Sequence, residues 1–147
     1  MVLGILQARC SSHRLPNKVL KPLLGRAMIL RELDRLAHSR RIDQIVLATS
    51  RDASDDPLCQ AAVEAGVNVY RGSLDDVLER YYACAEQYDA EHIVRVTGDC
   101  PLIDWRIVDD VIVRHLAENN DYTHTTEHFP DGLDTEVMTF SALSQAH

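Results

Sequence analysis

Acidic residues are missing from the first 31 positions of this chain, which carry six cations: Arg9, Arg14, Lys18, Lys21, Arg26 and Arg31. All 23 acids come later, against nine of the 15 Lys and Arg residues. The formal net charge of −8 argues against non-specific adhesion to nucleic acid or to an anionic membrane. No apolar run exceeds a few residues, so the sequence offers no membrane-spanning segment. No basic segment followed by a longer apolar one opens the chain; no signal peptide is expected, and the cytoplasm is the expected location. The four cysteines, Cys10, Cys59, Cys84 and Cys100, form no C-x-x-C pair, which argues against a zinc knuckle or a disulfide framework and for reduced thiols. Two phosphate signatures are also missing. There is no G-x-G-x-x-G and no G-x-x-x-x-G-K-[S/T], hence neither a dinucleotide fingerprint nor a P-loop. Nor does any Ser–His or Cys–His constellation suggest a protein nucleophile. His124-Thr-Thr-Glu127-His128 is not H-E-x-x-H, and it reads as a surface loop.

What is present is a regular alternation. Residues 2–8 form a continuous apolar run, as expected of a strand covered on both faces. A long loop to about Arg26 follows, then helical spacing at Ile29, Leu33, Leu36 and Ala37. Residues 44–49 predict a second strand; Asp56-Pro57 then reads as a cap with proline at the first helical position, and Gly66 as the stop. Residues 67–71 predict a third strand. Ser73-x-x-Asp76 resembles a capping box, with Val77, Leu78, Tyr81, Cys84, Ala85 and Tyr88 on the inner face of the helix behind it. Residues 92–97 predict a fourth strand, ending in Gly98-Asp99-Cys100-Pro101. Asp104 then caps a helix with a stripe of Ile107, Val108, Val111, Ile112, His115 and Leu116, where His115 reads as a core histidine. Residues 121–125 and 134–139 predict two more strands, and a helix starts at Phe140. Four strand–helix alternations define a mostly parallel sheet between helices, an α/β three-layer sandwich in one domain over residues 1–147. Ligands of such sheets bind at the carboxyl ends of strands. That places the Arg9–Lys18 loop, Ala48-Thr49-Ser50, Gly72-Ser73 and Gly98-Asp99 on one rim. In the loop, Arg9 and Arg14 can clamp phosphate through two parallel hydrogen bonds each, and Lys18 supplies a point charge.

The order Ala8-Arg9-x-Ser11-Ser12-x-Arg14-Leu15-Pro16-x-Lys18 resembles the signature loop of the cytidylyltransferases that activate acidic sugars. These are the synthetases for CMP-linked 3-deoxy-manno-octulosonate and N-acylneuraminate; the nearest type is the spore-coat polysaccharide biosynthesis protein F type. The resemblance continues through Lys18-Val19-Leu20-Lys21-Pro22-Leu23, Asp55-Asp56-Pro57, Arg71-Gly72-Ser73, Asp75-Asp76-Val77-Leu78-x-Arg80-Tyr81, Gly98-Asp99-Cys100-Pro101-Leu102-Ile103-Asp104 and Pro130-Asp131-Gly132-Leu133-Asp134-x-Glu136. Asn17 stands where the family usually has glycine, and asparagine also tolerates a left-handed backbone. The resemblance implies a nucleotide-diphospho-sugar transferase (Rossmann-like) fold. It further implies that Arg9, Arg14 and Lys18 act in catalysis, and that Ala8, Arg9, Ser11, Ser12, Arg14 and Lys18 hold the triphosphate of CTP. Thr49, Gly72, Ser73 and Asp76 would lie toward base and ribose, although Ser73 and Asp76 equally suit helix capping. Asp99 would ligate Mg2+, and Asp131, Asp134 and Glu136 would face the acceptor sugar. The implied reaction is transfer of CMP from CTP to an acidic sugar in surface-glycan synthesis, with a homodimer as the assembly. Relatives carry a second metal-binding Asp in a later segment with no counterpart in this sequence, so the expectation is of a C-terminally shortened domain. A glycosyltransferase of the same architecture would commonly show Asp-x-Asp, which is missing here; a non-catalytic nucleotide-binding module is the other alternative.

Overall fold

A computed structural model describes residues 1–11 and 15–147; Ser12 and Arg14, two of the expected phosphate ligands, lie outside the described residues. The elements run β1 (Val2–Gln7), β2 (Pro22–Leu23), β3 (Arg26–Ala27), α1 (Met28–Leu36), β4 (Gln44–Ser50), α2 (Asp56–Glu64), β5 (Asn68–Gly72), α3 (Val77–Gln87), β6 (His92–Thr97), α4 (Trp105–Glu118), β7 (Tyr122–His124), β8 (Glu136–Thr139) and α5 (Phe140–Ala146). Six strands form one sheet in the order β5-β4-β1-β6-β8-β7, and β2 pairs with β3 in a small separate hairpin. β1 lies parallel to β4 and to β6, and β4 parallel to β5. β8 runs antiparallel to both β6 and β7.

The apolar run of β1 serves two cores. Successive side chains of a strand point to opposite faces, so Val2 and Leu6 join Ile29, Leu33 and Leu36 of α1, Leu58 of α2 and Val108 and Ile112 of α4. Leu3 and Ile5 join Tyr81, Cys84 and Ala85 of α3 and Leu143 of α5. The layering expected from the alternation is therefore present, with α1, α2 and α4 on one face and α3 and α5 on the other.

Several local expectations are corrected. The N-cap position of α2 is Asp55, one residue before the expected Asp56, and its carboxylate does not cap the helix; it turns inward, as described below. Pro57 does sit in the first turn, and Gly66 closes the helix end at φ +77°. For α3 the cap is Asp76, which accepts from the Glu79 amide, while the Ser73 hydroxyl accepts from the Asp76 amide. Val77 and Leu78 remain 36% and 37% exposed, and Arg80 is fully buried instead. The Arg80 guanidinium donates to the carbonyls of Ser73 and Leu74, and that rotates the inner face away from a purely apolar stripe. Asp104 caps α4 as expected, accepting from the Arg106 amide. Leu116 is 40% exposed, and the buried side is carried by Val108, Ile112 and His115.

Candidate nucleotide site at the carboxyl rim

After β1 the chain builds β4 and β5 on one side, then crosses back to place β6 on the other. Strand order thus reverses between β1 and β6, and open α/β sheets bind ligands in the crevice at such a point. The loops after β1 and β6 flank this crevice. They meet closely: the Gly98 amide donates to the Gln7 carbonyl at 2.7 Å. A Cβ at position 98 would lie 2.7 Å from Ala8 Cβ and 2.9 Å from Ile29 Cδ1. Glycine is required there by the approach of the two loops.

The cationic loop is closed by its own backbone. The Asn17 amide donates to the Cys10 carbonyl at 3.0 Å, and Asn17 adopts φ 56°, ψ 25°, the left-handed conformation that asparagine tolerates. A 3-10 turn over Lys18–Leu20 follows, anchored by buried Val19. Lys18 Nζ comes to 3.4 Å from Asp99 Oδ2, with both side chains partly exposed. Arg9 and Ser11 are exposed. Burial pushes the Asp99 carboxyl up, but the Thr97 hydroxyl, the Lys18 charge and the Cys100 thiol outweigh it and hold it below the usual range. Asp99 is therefore a carboxylate at neutral pH, presented beside a cation on the rim. Burial raises the thiols of Cys10 and Cys100 to about 11, so both are neutral thiols and not nucleophiles.

Three residues at this rim escaped the sequence reading. The buried Asp55 carboxylate accepts from the Cys10 amide at 2.6 Å, Thr49 Oγ1 at 2.9 Å, the Ser50 amide at 3.1 Å and the Ser50 hydroxyl. Burial opposes its ionisation, but these donors win and lower its pKa. Asp55 thus ties the start of the cationic loop to the end of β4. Glu32, the first acid in the chain, is fully buried in α1 and accepts from the Cys100 amide at 3.3 Å. Its Oε1 has no hydrogen-bond partner among the described residues. Burial, with Asp99 nearby and only partly offset by the Cys100 amide and Lys18, raises its pKa to about 8. Arg80, under the loop between β5 and α3, is the third. The available signal was position: residue 32 falls between the inward-facing Ile29 and Leu33–Leu36 of α1.

The other expected site residues are placed as follows. Thr49 is buried, its hydroxyl taken up by Asp55. Gly72 lies over Arg80: a Cβ there would be 2.9 Å from Arg80 Cγ and from Tyr70 Cε1. Ser73 and Asp76 form the entry to α3. Asp131 and Asp134 are exposed between β7 and β8, with Asp134 accepting from the Gly132 amide at 3.0 Å and its charge reaching Cys100. Glu136 is engaged within the sheet, bound by Arg95 and by the Tyr122 hydroxyl. The rim thus brings Lys18 and Asp99 together, whereas the Glu136 carboxylate is committed to an ion pair. Among the described residues no group of three or more His, Cys, Asp or Glu side chains could hold a metal ion alone. One ionised, accessible carboxylate fits Mg2+ held jointly with substrate phosphates, which is the ion's common habit.

Comparison with known proteins gives the family and the fold. A family profile described as Cytidylyltransferase matches residues 3–147. An uncharacterised protein of Methanocaldococcus jannaschii is 41% identical over 145 residues, which make up 99% of this chain and 59% of that protein. The spore coat polysaccharide biosynthesis protein SpsF of Bacillus subtilis is 37% identical over 97% of this chain and 60% of its own length. A solved cytidylyltransferase from Leptospira borgpetersenii matches with a TM-score of 0.94 at 34% identity, covering 98% of this chain and 62% of that one. CMP:2-keto-3-deoxy-manno-octonic acid synthetase complexed with CTP shares the fold, at a TM-score of 0.80 and 15% identity over 99% of this chain and 76% of that one. The chain belongs to the cytidylyltransferase family, and it spans about 60% of the length of the first two relatives.

Proposed function

We propose that this chain forms the CTP-binding part of an enzyme that transfers CMP from CTP to an acidic sugar and releases pyrophosphate. The observation that carries this reading is the pairing of Lys18 with Asp99 across the crevice between β1 and β6. A cation and a carboxylate from two separate rim loops suit a ligand that brings both phosphate and a divalent ion. In the proposed reaction an acceptor hydroxyl oxygen attacks the α-phosphorus of CTP and gives up its proton to solvent, and the bond to the β-phosphate oxygen breaks with its electron pair leaving on pyrophosphate. No protein nucleophile is needed, in keeping with the neutral thiols at the rim.

Catalysis then rests on in-line positioning and on neutralising charge that grows on the leaving group. Arg9, Arg14 and Lys18 supply that neutralisation, with Ser11 and Ser12 as hydroxyl donors. Asp99 would hold Mg2+, which when bound polarises phosphate oxygens and screens their charge. Asp131 and Asp134 are the acceptor-side candidates. The match to SpsF supports a role in glycan synthesis, and the CTP complex of a protein sharing the fold supports the choice of nucleotide.

The test is pyrophosphate release from CTP with magnesium and a panel of sugar acids. Lys18→Ala and Asp99→Ala are each expected to slow release by about a hundredfold or more, with unchanged far-UV circular dichroism. Near-normal release by both variants would overturn the assignment.

A further inference from the structure

Arg80 belongs to the Asp75–Tyr81 motif, and the reaction described above assigns it no part. Its side chain is fully buried. Nε donates to the Ser73 carbonyl at 2.8 Å, and Nη2 to the carbonyls of Ser73 and Leu74, the latter at 2.9 Å. Nη1 has no hydrogen-bond partner among the described residues. The acids within electrostatic reach are Asp55 and Glu79, and both are engaged elsewhere. Asp55 takes the donors of Cys10, Thr49 and Ser50, and Glu79 accepts from the Ser73 amide at 3.3 Å. Among the described residues this buried guanidinium forms no ion pair; the Tyr81 phenol that also acts on it stays protonated at neutral pH, and the further charge acting on it is another cation, Arg9. Isolated buried charges are costly and are retained where something offsets them.

The surroundings are fitted to this arrangement. Gly72 must be glycine for the Arg80 stem to pass, since a Cβ there would strike Cγ at 2.9 Å. Ser73 and Leu74 are held by one side chain, its stem packs against Gly72, and these three residues form the rim at the carboxyl end of β5.

We propose that Arg80 is a positioning residue for an anionic ligand: it fixes the Ser73–Leu74 rim through backbone carbonyls, and its unneutralised charge, together with Arg9, forms a positive field completed by the phosphates of a nucleotide. The role deepens the CTP reading and rests on it for the nucleotide, though not for the anion. A guanidinium with no paired acid favours polyanions over neutral nucleosides even without touching them.

Calorimetric titrations with CTP, cytidine and inorganic pyrophosphate test this in the wild type, Arg80→Lys and Arg80→Met, with thermal midpoints measured alongside. Arg80→Met is expected to weaken CTP and pyrophosphate about tenfold or more, to leave cytidine within about twofold, and to flatten the dependence of CTP affinity on salt. Arg80→Lys keeps the charge and should recover most of the pyrophosphate affinity while losing part of the CTP affinity with the carbonyl grip. Equal losses for CTP and cytidine in Arg80→Met would reduce Arg80 to a loop brace and overturn the inference, as would unchanged affinities. If Arg80→Met fails to fold, loss of pyrophosphate affinity in Arg80→Lys equal to its loss for cytidine overturns it too. Wild type that binds pyrophosphate but not CTP would sink the CTP assignment and leave the Arg80 inference standing.

Discussion

Glu32 illustrates how much a single side chain can set at this rim. It is buried beneath Cys100 with one carboxylate oxygen unpartnered, so an ionised Glu32 would carry an uncompensated charge beside Asp99. Its pKa rises from 4.5 to about 8, chiefly through burial. The folded state therefore keeps a proton that the unfolded chain has already released, and stability is lost as pH climbs from 4.5 to about 8. Urea midpoints at pH 5 and pH 9 should differ accordingly, with the wild type weaker at the alkaline end. Glu32→Gln should flatten this difference and exceed the wild type in stability at pH 9. A wild type with equal midpoints would contradict the protonated assignment. The same residue shows why sequence reading stops where it does: in helical spacing a glutamate between apolar neighbours is indistinguishable from a solvated charge.

At the level of elements, Asp55 joins the β1 loop, β4 and α2 through one carboxylate. Asp55→Ala would strand the buried Cys10 and Ser50 amides, at about 1–3 kcal/mol for each unsatisfied group. A loss of roughly 3 kcal/mol in chemical denaturation is expected, together with weaker CTP binding, because Cys10 also anchors the loop closure at Asn17. Asp55→Asn should retain part of both. β1 was legible because a strand covered on both faces is continuously apolar, and β4, β5 and β6 begin and end within about one residue of the runs that predict them. The hairpin of β2 and β3 was not, since two-residue strands carry no periodicity. The inner face of α3 was misread at Val77, Leu78 and Arg80, where capture of two carbonyls by a guanidinium outweighs hydropathy. The cation loop and Asp99 were legible as a rim because chain order and strand direction fix which ends share a side. Glu32 was hidden because its partner, the Cys100 amide, is remote in sequence; Asp55 and Arg80 were hidden because the loop amides, hydroxyls and carbonyls that they bind carry no periodic signal.

Across the whole molecule, the parallel half of the sheet is fastened to its antiparallel extension by a histidine pair. His92 of β6 lies 3.1 Å from His115 of α4, which in turn meets Thr123 of β7 at 3.1 Å. Burial, then the neighbouring His92, lowers the pKa of His115 below 6.5. The unfolded chain takes up this proton first, so stability should fall as pH drops below about 6.5. His115→Gln should show a shallower acid limb in thermal midpoints between pH 7 and pH 5.

The position of β6 beside β1 has a kinetic meaning as well. Val2 pairs with His92 and Gln7 with Thr97, so the crevice walls come from chain segments separated by all the elements from β2 to α3. Closing so long a loop carries an entropic cost before any contact rewards it. The Lys18–Asp99 contact is therefore expected to form late in folding, and the proposed polyphosphate site would be complete only once β6 has docked beside β1, not when the cationic loop is made.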